Sequence, residues 1–309
     1  MSRLVASLLL LGLLSCGGKS TTPSRPAKAT KTIGVTLLTR GHLFYRDLED
    51  GLRAGAAAAG YELVVTTADF DLGKQTSQIE DFLARKVDAI VVCPVDSSGV
   101  GPAIRKANAA GIPVFTADIA AKEGDVVCHV ASDNVAGGRL AGEYLAKAIG
   151  GSGAVAIINQ PVVTSVLDRV KGFREAIAQH PGITVVADVD GQGVRDRALE
   201  ATSDVLQAHP DLRGIFGIND DSALGALDAV RQFKREKIVL VGYDATEPAV
   251  DAIKKGEALE ADVIQYPKKI GATTIEKIRD YFAGSAPPKV VPVEVGIVDR
   301  AALEGAPSR

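Results

Sequence analysis

The sequence predicts an α/β fold of two doubly wound lobes with parallel sheets, and three observations predict it. Short apolar runs alternate with helical stretches, the runs are apolar at consecutive positions, and the second half of the chain repeats the first. In order the runs are Thr32–Leu38, Tyr61–Thr66, Ala89–Cys93, Ile112–Thr116, Ala154–Ile158, Ile183–Ala187, Gly214–Ile218 and Ile238–Gly242. A strand with both faces covered reads as a continuous apolar run, and a half-exposed strand alternates. Helices lie between the runs, including Asp47–Ala59 and Asp168–Gln179. The βαβα order then requires right-handed crossovers and an open, Rossmann-like parallel sheet in each half.

The repeat spans a whole lobe. RDLEDGLRAGAAAAGYELVV aligns with LDRVKGFREAIAQHPGITVV, pairing Gly51 with Gly172. Asp96-Ser97 pairs with Asp221-Ser222, and Asp118 in IPVFTAD pairs with Asp244 in IVLVGYD. The offsets are 121, 125 and 126 residues, in order along the chain. Length alone also favours two domains.

Before the first run the chain is of another kind. A basic start (Ser2, Arg3) leads into the apolar stretch Leu4–Leu14, the pattern of a signal-peptide core and too short for a permanent span. It ends in Leu13-Leu14-Ser15-Cys16-Gly17, where small residues flank Cys16. This resembles a bacterial lipobox, in which the cysteine becomes the acylated first residue. An ordinary secretory peptide that contains a cysteine is the alternative. Residues 17–30 are small, polar and Pro-containing, which suits a tether reaching at most roughly 45 Å when extended. The expected location is therefore outside the cytoplasm, periplasmic or at the cell surface, anchored through Cys16.

Composition excludes several functions. The net charge is −3, and no Lys/Arg cluster is interleaved with aromatic residues, so nucleic acid has little to bind. The sequence has no Gly-x-Ser-x-Gly elbow and no P-loop, and Gly151-Ser152-Gly153 precedes a strand, the wrong side for a phosphate cradle. The four histidines show no ligand spacing, and Asp69-Phe70-Asp71 lacks the glycine and later acids of a calcium loop. The reading is a protein without catalysis, metal or cofactor. Cys93 and Cys128 sit in apolar runs, where a buried thiol is favoured over a disulfide.

Matched strand ends create a cleft, and ligands of open α/β sheets bind beyond those ends. The residues there are polar: segments 39–45, 94–97 and 159–169, Asp118, residues 219–221 and Asp244. Asp96 and Asp221 are expected to be helix N-caps. Asp118 and Asp244 start no obvious helix and are better candidates for ligand contact. Carboxylates accept vicinal hydroxyl hydrogens, Arg and amides donate to hydroxyl and ring oxygens, and aromatic rings cover a C–H face. Asp118, Arg169, Asn219, Asp244, Gln265, Phe44 and Tyr45 supply that set for a sugar or polyol.

At this point the chain resembles a known family, the periplasmic pentose- and hexose-binding proteins of ABC transporters, and within it the ribose-binding branch. The similarity runs over residues 31–295, most specifically in VVCHVASDNVAGGRLAGEYLAK, AHPDLRGIFGINDDSALGAL and VLVGYDATEPAVDAIKKGEALEADVIQYPKKIG. The resemblance implies the type I periplasmic-binding-protein fold, with a three-stranded hinge crossing near Ser132, Gln265 and Glu294. One lobe would hold residues 31–132 and 266–294, the other 133–265 and 295–309. It places Phe44 and Tyr45 as stacking rings, with Asp118, Arg169, Asn219, Asp244 and Gln265 as polar contacts. Three departures stand out. Ile119 occupies a usual Arg position, His42 a usual Asn position, and Gly193 lies where an aromatic is usual. The expected ligand is therefore a monosaccharide or polyol other than ribose, held by hinge closure of a monomer that delivers it to a permease. Replacing Asp244 or Arg169 by Ala is expected to abolish binding and leave the stability of the free protein nearly unchanged. Two other readings share the architecture. A sugar sensor presenting its ligand to a membrane receptor or kinase would have the same site. A LacI-like regulator would need a helix-turn-helix before the first strand, where this chain carries an export signal.

Overall fold

The computed structural model describes residues 30–305. The segment expected to be an export signal, Cys16 and nearly all of the expected tether lie outside the described residues. The first half runs β1 (Thr32–Leu37), α1 (Leu43–Ala59), β2 (Glu62–Thr67), α2 (Leu72–Arg85), β3 (Ala89–Val92), α3 (Gly101–Ala109), β4 (Val114–Ala117) and β5 (His129–Ser132). The second half runs α4 (Asn134–Ala148), β6 (Ser152–Asn159), α5 (Thr164–Ile177), β7 (Gly182–Asp190), α6 (Arg195–Ala208), β8 (Leu212–Gly217), α7 (Asp220–Gln232), β9 (Val239–Asp244), α8 (Glu247–Lys255) and β10 (Leu259–Ile264). The chain closes with α9 (Pro267–Phe282), β11 (Val290–Val293), β12 (Gly296–Asp299) and α10 (Arg300–Gly305).

Two six-stranded sheets result, ordered β11-β5-β4-β3-β1-β2 and β12-β10-β9-β8-β6-β7. Their central strands are buried at nearly every residue, which is why the apolar runs were continuous. The first sheet is parallel throughout, and the second is parallel except for one strand: β12 returns antiparallel along β10, a correction to the all-parallel expectation. The strand count is also higher than the eight apolar runs. β5 and β11 are only four residues each, β11 contains Pro292, and β10 carries Glu260 and Asp262 inside its run.

The chain passes between sheets three times: from β5 into α4, from β10 into α9, and from β11 into β12. The helix beyond each of the first two passages packs on the other body. Helix α9 lies against α1, β4 and β5, while α4 lies against α5, β9 and β10. The repeated glycines explain how closely these pairs approach. A Cβ on Gly51 would sit 2.2 Å from the Lys268 carbonyl oxygen of α9, and one on Gly172 would sit 2.0 Å from that of Val135 in α4. So the repeat seen in sequence preserves a backbone contact between helices, once in each lobe.

Both helices named from sequence begin one turn early. Helix α1 starts at Leu43, not Asp47, and α5 at Thr164, not Asp168. Their N-cap residues, His42 and Val163, make no side-chain cap, so the usual start signal is absent. That extra turn carries Phe44 and Tyr45 at one end of the cleft and Ser165 and Val166 at the other. Cys93 and Cys128 are buried free thiols. Asp69-Phe70-Asp71 is a helix start: Asp71 accepts from the Lys74 amide and Asp69 holds the Lys74 ammonium.

Candidate functional site

All nine residues selected from sequence (His42, Phe44, Tyr45, Asp118, Ile119, Arg169, Asn219, Asp244 and Gln265) line one cavity between the two sheets. The empty space among these residues, open solvent at the mouth included, is about 370 Å³. Leu38, Gln160, Val163, Ser165 and Val166 complete the wall and were not singled out from sequence. Gln160 and Ser165 fall in the polar segment after β6, so strand-end position was the signal that could have found them. Val163 and Val166 share that segment but are apolar, and Leu38 closes an apolar run, so polarity did not mark these three.

Asp118 and Asp244 occupy matching places at the ends of β4 and β9. Both have a positive φ, 66° and 126°, in a region that non-glycine residues seldom adopt. Such strain concentrates at binding sites, where the surrounding structure holds a side chain at a needed angle. The Tyr45 hydroxyl donates to Asp118 Oδ2 at 2.7 Å, and Asp118 Oδ1, fully buried, has no donor. Tyr45 was expected to be a stacking platform. Its ring does pack edge-on against Phe44, at 5.2 Å between centroids, but its hydroxyl orients the aspartate. Gln265 Nε2 donates to Asp244 Oδ1 at 2.6 Å, and Gln265 Oε1 also lacks a donor.

Arg169 is the cation of the cleft. It is only 4% exposed, donates to Asn134 Oδ1 and the Ile218 carbonyl, and lies 3.9 Å from the Tyr243 ring centroid. Its Nη1 is 3.9 Å from Asp244 Oδ1. Burial opposes its charge, yet Tyr243, Asp244 and Asp118 outweigh burial and hold it protonated. Burial raises Asp118, against the pull of Arg169 and the Tyr45 hydrogen bond. Burial also lifts Asp244 well above the usual carboxylate range, with Arg169 opposing. Two buried carboxyl groups facing one guanidinium leave room for further donors, a chemistry that suits vicinal hydroxyls.

Asn219 is the N-cap of α7, its Oδ1 accepting from the Ser222 amide, while Nδ2 reaches the Gly193 carbonyl. This corrects the expectation for Asp221, which lies in the first turn of α7 and stands 3.3 Å from His42 Nε2 across the cleft. Burial lowers the His42 pKa and Asp221 partly restores it. Asp96 is likewise not the N-cap: it closes the turn ahead of α3 by accepting from the Ser98 and Gly99 amides, and Val100 takes the cap position. At Gly193 φ is +66°, and a Cβ there would sit 2.4 Å from Gln160 Oε1. Gln160 thus occupies space next to the position where the resemblance implies a ring.

The lobes are in contact around this cavity. The Thr164 hydroxyl accepts from the Ala120 amide at 2.9 Å and donates to the Ala120 carbonyl at 3.1 Å. Ser97 takes a hydrogen bond from the Thr164 amide at 3.0 Å and gives its own amide to the Val162 carbonyl.

Two sheets closing on a buried, hydroxyl-accepting cleft define a two-lobed small-molecule binding protein. Residues 33–286 match the periplasmic binding protein domain model, and the chain belongs to that family. It is 36% identical over 291 residues to the ribose import binding protein RbsB of Salmonella typhimurium, covering 94% of this chain and 97% of that protein. It is 32% identical over 249 residues to the xylitol-binding protein of Mycolicibacterium smegmatis, covering 80% of this chain and 70% of that one. Among solved structures, an ABC transporter solute-binding protein from Agrobacterium vitis bound with α-D-tagatopyranose superposes with a TM-score of 0.85. It shares 29% identity and covers 89% of this chain and 97% of that chain. Among the described residues no helix is long and apolar enough to cross a membrane.

Proposed function

We propose that this protein is the solute-binding component of an ABC transporter and holds a monosaccharide or related polyol in the cleft between its lobes. One observation carries the reading: a buried guanidinium between two strained aspartates, with Asp118 Oδ1 and Gln265 Oε1 lacking donors. A polyol supplies hydroxyl hydrogens to those oxygens and accepts from Arg169, so it favours the closed arrangement over the open one. Residues 31–132 with 266–294 would move as one body and 133–265 with 295–309 as the other. The relatives named ribose import, xylitol-binding and tagatopyranose-bound support the ligand class.

The ligand we propose is one other than ribose. Ile119 is 2% exposed and joins Leu38, Phe44, Val163 and Val166 in an apolar wall, so one edge of the ligand must be poor in hydroxyls. Export as a lipoprotein through Cys16, delivery to a permease, and action as a monomer complete the proposal. A thermal-shift screen of pentoses, hexoses and sugar alcohols tests it. A true ligand at a hundredfold excess over its Kd should add about 2.7 kcal/mol of stability. Stabilisation by none of them would remove the sugar reading, and tight calorimetric binding of D-ribose would remove the specificity claim.

A further inference from the structure

Asp262 is an anomaly in an apolar strand. It lies in the middle of β10, fully buried, in register with Gly242 of β9. The missing side chain of Gly242 makes the room, since a Cβ there would sit 2.3 Å from Asp262 Oδ2. Facing it is Asp220, 3% exposed, the first residue of α7. Among the described residues neither has a salt-bridge partner, and Arg169 is engaged with Asp244. Each carboxyl gives one oxygen to the turn after β9. Asp262 Oδ1 accepts from the Ala245 amide at 3.0 Å and Asp220 Oδ2 from the Thr246 amide at 2.7 Å. The remaining oxygens, Asp262 Oδ2 and Asp220 Oδ1, find no donor.

Two buried like charges without a cation cannot both persist, and one proton between them satisfies both stranded oxygens. We infer that Asp220 and Asp262 form a proton-sharing carboxyl pair that clamps the Asp244–Thr246 turn and so positions the Asp244 carboxyl in the cleft. The turn needs a clamp, because Asp244 and Ala245 both have positive φ, 126° and 54°. Asp220 and Asp262 are positioning residues that act through Asp244, and the inference rests on the cleft being the binding site. The charges around the pair agree. Burial and the Asp220 carboxyl push Asp262 well above its ordinary range, with Asp244 adding to the rise. Burial raises Asp220 to about 6, with Asp221 adding and the hydrogen bond from Asp262 opposing.

The test uses the variants Asp262→Asn and Asp262→Leu. An Asn amide supplies a permanent donor to Asp220 Oδ1 and keeps an acceptor for Ala245, whereas Leu removes both. A carboxyl whose folded pKa is raised contributes stability that is complete below the unfolded value and is lost as pH rises through the folded one. Denaturant melts of the ligand-free protein should therefore show wild-type stability falling from about pH 4 upward, with Asp262→Asn flattening that slope. In a crystal structure of Asp262→Leu, Asp244 should leave its positive-φ conformation. Calorimetric titration with xylitol, α-D-tagatose and D-allose should show Asp262→Leu weakened about tenfold or more, the loss of one hydrogen bond to a charged group, and Asp262→Asn within about threefold of wild type. A turn unchanged in Asp262→Leu, or a pH slope equal in wild type and Asp262→Asn, overturns the inference. Failure of wild type to bind any of the three sugars counts against the sugar reading alone, because the melts and the crystal structure still decide the pair.

Discussion

Arg169 and Asp244 face each other in the cleft, but their removal has opposite consequences for the free protein. Arg169→Ala deletes donors to Asn134 and Ile218 and the contact with Tyr243, leaving buried acceptors and two carboxyls uncompensated. Breaking such a set costs about 3–5 kcal/mol, so the expectation of unchanged stability does not survive for this residue. Asp244→Asn keeps the hydrogen-bonding shape and removes a buried charge that the fold disfavours. It should melt at or above the wild-type temperature while losing sugar affinity by about 10–150-fold, read by calorimetry beside a melting curve. The identities of these residues were legible because a carboxylate at a strand end in duplicate is an uncommon pattern. Their strain was not. The turn at Asp244 is braced by carboxyls brought in from α7 and β10, and Asp118 is held by the Val130 carbonyl and the Tyr45 hydroxyl, so no local signal marks either positive φ. Asp262 shows the same limit: in sequence it is an acid that weakens a strand, and only the register opposite Gly242 gives it a place.

At the scale of elements, the glycine pairing Gly51 with Gly172 was readable as a repeat but not as a contact. Its meaning comes from helices α4 and α9, which arrive from the far side of the hinge and cross α5 and α1 with backbone against backbone. Gly172→Ala forces a methyl into the Val135 carbonyl. It should destabilise by about 1–3 kcal/mol in a urea melt, with Gly51→Ala similar because the geometry recurs. The early starts of α1 and α5 were hidden because neither has a capping side chain, and the first acidic residues, Asp47 and Asp168, mimic a start one turn late. The short strands β5 and β11 were missed for a different reason: four residues are too few to display a period, and their pairing partners are remote in sequence.

For the whole molecule, the hydrogen bonds of Ser97 and Ala120 with Thr164 and Val162 join the lobes beside the apolar residues Ile119, Val163 and Val166. Such hydrogen bonds can be exchanged for water between closed and open arrangements. Thr164→Val keeps the shape of the side chain and deletes both hydrogen bonds to Ala120. At about 1 kcal/mol each, their loss should shift the free protein toward the open form and enlarge its radius of gyration in X-ray scattering, with sugar reversing the change. At the same scale, Cys16→Ser should release the exported protein from the membrane fraction into the wash. Retention on the membrane would rule out the lipid anchor.

The depth of the cleft also sets the kinetics of capture. Asp118, Arg169 and Gln265 are only 3–4% exposed while the lobes touch, so on the proposed reading a sugar gains full access to them when the lobes part. Encounter then occurs on the parted form, and the parted fraction scales the apparent affinity. A stopped-flow trace should therefore rise linearly with sugar at low concentration and bend to a plateau at high concentration, where closing of the lobes becomes the slow event. Loosening the Thr164 clasp would speed arrival and departure together, trading residence time for throughput.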